Sequence, residues 1–103
     1  MVKLIAYYKE PADKVDFEKK YFEEHLPLAK KMPGLIKSEV SKLKGISDGG
    51  TNYYLQTDMY FENLDSLNMA MSSSEGKAAA RNLMSFAKDV VSMSIGEIRI
   101  EAY

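Results

Sequence analysis

The stretch 51-TNYYLQTDMYFE-62 is dense in aromatic and β-branched residues and alternates along its length. As a strand it carries Tyr53, Leu55, Thr57, Met59 and Phe61 on one face and Tyr54, Gln56, Asp58 and Tyr60 on the other. Large apolar groups on both sides place it inside a sheet whose two faces are each at least partly buried. Asn63 directly behind it is a helix N-cap for 64-LDSLNMAM-71, with Leu64, Leu67 and Met71 as the apolar stripe. The spacing from Ser72 to Glu75 is that of a capping box before the helix 76-GKAAARNLMSFAKDV-90, whose stripe is Ala79, Leu83, Phe86 and Val90.

Upstream, residues 35–44 alternate weakly, with Ile36, Ser38 and Val40 on one side and Lys37, Glu39 and Ser41 on the other, as in an edge strand guarded by charge. The glycines of 45-GISDGG-50 supply a long hairpin loop to the aromatic strand. The N-terminal 2-VKLIAYY-8 reads as a first strand stopped by the turn at Pro11. From Asp13 or Asp16 the period becomes helical, and Phe17, Tyr21, His25 and Leu28 fall within about 80° of one another at 100° per residue. Pro27 removes a backbone donor and clashes with the Glu23 carbonyl, so this helix must kink or restart there, before Pro33-Gly34 ends it. At the C-terminal end, 97-EIRIEAY-103 alternates with Ile98, Ile100 and Ala102 inward and is taken as the fourth strand.

Strand, helix, strand, strand, helix pair, strand is the order of an α+β, ferredoxin-like domain: a four-stranded antiparallel sheet with helices on one face. The 103 residues make one domain, 1–103, with 46% apolar and 28% charged composition. A domain this small covers only about two-thirds of its unfolded surface. The uncovered sheet face is therefore expected to meet a second subunit, two sheets closing into a barrel.

Composition removes several functions. Fourteen basic against fifteen acidic residues, a net charge of -1 and no one-signed run give no footprint for nucleic acid or an anionic membrane, and no apolar stretch approaches membrane-span length. Without cysteine or a secretory signature the chain suits the reducing cytoplasm. One histidine and no cysteine leave no zinc cluster, and neither a phosphate loop nor a G-x-S-x-G elbow occurs, so no cofactor is expected. Haem with His25 as axial ligand lacks an attachment motif.

His25 is the side chain that titrates nearest neutrality, and it sits on the apolar helix face at the break. Free carbonyls and the dipole of a helix end there would favour its imidazolium, suited to a general acid or a hydrogen-bond donor to substrate. The plainer reading is a half-buried helix-end residue. Asp58, in mid-strand between Gln56 and Tyr60, needs a partner to offset desolvation: His25, an arginine, or the other subunit. Tyrosines 7, 8, 21, 53, 54 and 60 offer ring surface with a hydroxyl at one end, as core, as interface or as the lining of a pocket for an apolar or aromatic ligand. Seven methionines make either setting pliable.

The opening strand, 21-YFEEHLPLAKKMPGL-35 with its H-x-P-L core, 54-YLQTDMYFENLDSLNMAMSSSEGKAA-79 and 95-IGEIRI-100 together resemble the EthD family, named for ethyl tert-butyl ether degradation. Ser74 stands where that family often has proline, and Tyr60 where tryptophan is common. The resemblance implies a dimeric α+β barrel similar to small cofactor-independent monooxygenases and muconolactone isomerase-type proteins, with the family histidine at His25 and the strand acid at Asp58. Two active readings follow. One is a homodimeric, cofactor-free enzyme acting on a hydrophobic compound, with His25 and Asp58 catalytic and Tyr8, Tyr21, Tyr54 and Tyr60 shaping the pocket. The other is a non-catalytic ligand-binding or accessory protein of a degradation or oxygenase pathway. In a third, His25 and Asp58 only stabilise the fold.

Overall fold

A computed structural model describes residues 1–46 and 53–99. Its elements are β1 (Val2–Lys9), α1 (Lys14–Lys20), a π-helical turn (Tyr21–His25), α2 (Leu26–Ala29), β2 (Lys37–Lys42), β3 (Tyr53–Phe61), α3 (Leu64–Ser72), α4 (Ser74–Ala87) and β4 (Val91–Glu97). The strands form one antiparallel sheet in the order β2-β3-β1-β4, the ferredoxin-like topology. Val2, Leu4, Ala6 and Tyr8 of β1 lie opposite Phe61, Met59, Thr57 and Leu55 of β3, and all eight are buried beneath the helices. The intervening residues, Lys3, Ile5 and Tyr7 against Tyr60, Asp58 and Gln56, point to the open face.

Pro27 acts through the π turn. It has no N–H to give Glu23, and the ladder widens instead, with Leu26 N–H donating to the Tyr21 carbonyl five residues back. The inward residues step by four: Phe17, Tyr21, His25, Ala29. In an α-helix each such step drifts the side chain by about 40°. The π turn absorbs one extra residue and cancels much of the drift, so Ala29 is buried where the sequence period assigned Leu28, which is half-buried beside it. Gly34, at φ +80°, then turns the chain into β2 in a conformation that side chains other than glycine's rarely adopt.

Asp13, Asn63 and Ser73 cap α1, α3 and α4, their side chains accepting from Asp16, Ser66 and Gly76 N–H groups. The cap of α4 is thus Ser73, one residue beyond the capping box expected at Ser72 and Glu75. In α3 the buried positions are Leu67 and Ala70, while Leu64 and Met71 are exposed.

Two further expectations are corrected. The fourth strand runs Val91–Glu97, not 97–103. It follows α4 after a short turn over 88–90, with Lys9 N–H bonded to the Val90 carbonyl at 2.9 Å, and pairs from Tyr8↔Val91 to Val2↔Glu97. Its signal is weak because Met93 and Ile95 reach past the helices and are half exposed, so burial barely alternates. Ile98 follows the strand, and Ile100 and Ala102 lie outside the described residues, as does most of the expected 45–50 loop. At the start of β3 the alternation also breaks. Tyr8 pairs with Leu55 and Lys9 with Tyr53, leaving Tyr54 as the extra residue of a β-bulge. The bulge turns Tyr54 toward α1, against Phe17, and Tyr53 toward Tyr7 on the open face, the reverse of strict alternation.

Candidate functional site

Between the helices and the sheet lies a cavity of about 100 Å³. Its wall is apolar except for four side chains: Tyr8 of β1, Tyr21 and His25 of the π turn, and Thr57 of β3. Phe17, Tyr21 and His25 form a ladder of rings, with centroids 5.7 Å apart in the first step and 5.5 Å in the second. Tyr8 meets Tyr21 edge-on at 5.1 Å, and Phe86 of α4 closes on His25 at 6.4 Å. The π turn therefore brings two polar heads, one from each step of the stripe, to the same apolar wall.

Tyr21 and Thr57 share a buried hydrogen bond between their hydroxyls. Burial pushes both tyrosine hydroxyls above their ordinary value, Tyr8 strongly and further through its neighbour Tyr21, while the Thr57 and Tyr8 hydroxyls partly restrain Tyr21. Both phenols are neutral donors at any physiological pH. His25 is 5% exposed. Burial pushes its imidazole below the ordinary value of 6.5, opposed by the Asn82 side chain and the Ala79 carbonyl, so the ring is neutral at pH 7. This corrects the expected imidazolium: the helix runs on from the π turn into α2 and has no end at His25, and desolvation dominates. The Nδ1 atom of His25 has no hydrogen-bond partner of normal geometry.

The mouth of the cavity is built from methionines. Met71 of α3, Met84 of α4 and Met93 of β4 line it and are 42%, 43% and 43% exposed. Gly76 lines it too, because α4 crosses the end of α3 so closely that a Cβ there would sit 2.1 Å from the Ala70 carbonyl oxygen.

The remaining candidates lie elsewhere. Asp58, 9% exposed, is on the open face, where Gln56 donates to it at 3.0 Å and Lys3 stands 3.7 Å away. Its neighbour Thr57 is the residue that reaches the cavity, so the sheet separates Asp58 from His25. Tyr60 is also on the open face, under Lys37 and Lys3, and donates to Glu39 at 2.7 Å; that bond leads in pushing its hydroxyl up to about 12. Tyr54 packs beside α1 and donates to Glu18; partial burial, then that carboxylate, pushes it up to about 12. Of the four pocket tyrosines expected, Tyr8 and Tyr21 line the cavity and Tyr54 and Tyr60 do not. Thr57, Asn82 and the three mouth methionines were missed. Thr57 could have been found as the one small polar residue among Leu55, Met59 and Phe61 on the same face.

No family model matches the chain. A crystal structure of an EthD family protein from Bacillus halodurans superimposes with a TM-score of 0.91 at 41% identity, covering 96% of this chain and 99% of that one. The chain belongs to the EthD family. An uncharacterized 11.0 kDa protein of the thcB-thcC intergenic region of Rhodococcus erythropolis is 28% identical to this EthD chain over 93 residues, 90% of each chain. The same fold, at 12% identity and a TM-score of 0.71, is found in SnoaB, a cofactor-independent oxygenase from Streptomyces nogalater, over 97% of this chain and 94% of that one. It also occurs in a dimeric ferredoxin-like protein of unknown function from Bacteroides fragilis, at 21% identity and a TM-score of 0.64, over 94% and 95% of the two chains. Among the described residues of this EthD chain, no cluster of three His, Asp or Glu side chains could hold a metal, and no helix is long and apolar enough to cross a membrane.

Proposed function

We propose that this chain is a homodimeric small-molecule protein that takes a hydrophobic, oxygenated or aromatic compound into the cavity beneath the π turn and moves a proton on it without a cofactor. One observation carries the reading: a neutral, buried imidazole stands in an apolar wall beside a hydroxyl pair, behind a mouth of flexible methionines. Core packing alone would fill that volume and would not place His25, Tyr8 and Tyr21 around it. An apolar cavity of roughly 150 Å³ holds benzene. The volume here admits a smaller group, so the compound inserts one apolar end and the methionines shift around the rest. In this role His25 is the proton acceptor and the Tyr21–Thr57 pair orients an oxygen of the compound. That a cofactor-independent oxygenase is built on the same frame is consistent with this chemistry.

Asp58, in this reading, belongs to the dimer. The open face carries Ile5, Tyr7, Tyr53 and Tyr60 around the Lys3–Asp58 pair, a mixed surface suited to a second copy. Native mass spectrometry of protein taken from its host tests both parts together. A dimer retaining an organic compound that wild type converts and His25→Gln does not is the expected result. A dimer that binds the compound unchanged would make the protein a carrier or accessory module, and a monomer would remove the barrel.

A further inference from the structure

Two buried side-chain atoms among the described residues lack a hydrogen-bond partner, and they are complementary: the Nδ1 of His25 and the Oδ1 of Asn82. They come from elements packed on one another, the π turn and α4. Ala79, Asn82 and Phe86 occupy one face of α4 at steps of three and four, and both flanking members meet the site, Ala79 at the cavity wall and Phe86 against the His25 ring. A polar residue in the middle of such a stripe costs stability unless it is paired. The far end of Asn82 is already committed, its Nδ2 donating to the Glu24 carboxylate at 3.4 Å. A carboxylate only accepts, so the amine end must face Glu24 and the carbonyl end turns inward. The other oxygen near the ring, the Ala79 carbonyl, already accepts the helical bond of α4 four residues on.

We infer that Asn82 is a positioning residue: its side-chain carbonyl takes the Nδ1–H of His25 and fixes the tautomer whose Nε2 lone pair is left for a ligand in the cavity. A neutral imidazole has two tautomers, and only the one protonated at Nδ1 has a basic Nε2. Glu24 holds Asn82, and Asn82 holds His25. Because Glu24 and His25 are adjacent in the π turn, the break in the helix places both ends of this chain of contacts. The use of Nε2 by a ligand rests on the function proposed above, but the tautomer is a property of the free protein.

The chain has one histidine. Protein labelled with ¹⁵N in histidine therefore gives one pair of ring nitrogens, and long-range ¹⁵N–¹H correlation of the free protein at neutral pH reports which one carries the proton. The expected result is a protonated Nδ1 and a lone-pair Nε2 in wild type. In Asn82→Ala the ratio moves roughly five- to tenfold toward Nε2–H, the size of one ordinary hydrogen bond. Asn82→Asp, which keeps an inward acceptor oxygen, retains Nδ1–H. Wild type protonated at Nε2 would overturn the inference, and so would ring signals unmoved by Asn82→Ala, which would give the role to Ala79. Should Asn82→Ala fail to fold, loss of Nδ1–H in Asn82→Asp overturns the inference and its retention supports it. A predicted tautomer in a protein that turns nothing over would sink the proposed reaction and leave the positioning intact.

Discussion

The two faces of this sheet are made by the same strands and behave as different materials. On the helix side Tyr8, Tyr21, His25 and Thr57 are buried around the cavity, where the Tyr21 and Thr57 hydroxyls meet each other. On the open side Lys3, Gln56, Asp58, Tyr60 and Glu39 satisfy one another in a network reached by water. Thr57 and Asp58 are consecutive, yet one reaches the cavity and the other cannot. The lesson is that a single step along a strand decides whether a polar side chain can take part in buried chemistry or in surface pairing.

The contrast can be broken hardest at Gly76. Gly76→Ala puts a methyl group against the Ala70 backbone oxygen, with the Met71 oxygen at 2.9 Å on its other side, and must part α3 from α4. Calorimetry should show a loss of roughly 3 kcal/mol or more, and a near-unchanged melting temperature would mean that the helix crossing is loose. Next, Thr57→Val keeps the shape of β3 but strands the Tyr21 hydroxyl in the core. Chemical denaturation should register about 1–3 kcal/mol; an equal or more stable variant would show that water or Tyr8 replaces the threonine.

His25 sharpens the comparison through pH. Its folded pKa is lowered, so the unfolded chain binds its proton first as pH falls through 6.5. Stability contributed by the neutral ring is complete above that value and is lost below it, at up to about 1.4 kcal/mol per pH unit until the folded pKa is reached. The difference in melting temperature between wild type and His25→Gln should therefore shift against wild type between pH 7 and pH 5, and parallel curves would contradict the burial argument. The smallest effect belongs to the open face. Asp58→Asn loosens a pair at 3.7 Å that is partly hydrated, and the fold should lose under about 1 kcal/mol. Sedimentation should instead show weaker self-association; a variant that folds poorly would move Asp58 from the interface to the core.

Much of this architecture was legible because it follows from short-range periods. The composition of β1, the alternation of β3 beyond its bulge, the cap at Asn63 and the turn at Pro33-Gly34 each need only neighbours within a few residues. Phe17, Tyr21 and His25 were legible as an inward stripe for the same reason. The fourth strand was misread because the residues between Val91 and Glu97 flank the helices without being covered by them, and their hydropathy follows that half-exposure. Leu28 was misplaced by one residue because the widened turn changes the helical phase, and Tyr53 and Tyr54 were exchanged by a bulge. Asn82 carried no signal at all, since one amide in an amphipathic helix looks like any solvated residue.

By itself the sequence determined the class of fold, the order of its elements, the candidacy of the single histidine and the resemblance to the EthD family. Those are consequences of local periodicity and of which side chains exist. Tertiary structure alone decided that His25 is neutral, that Thr57 and not Asp58 shares its cavity, and that Asn82 stands behind it. Ionisation depends on how much water surrounds a group, and partnership depends on which face a side chain occupies once distant strands and helices have closed over it.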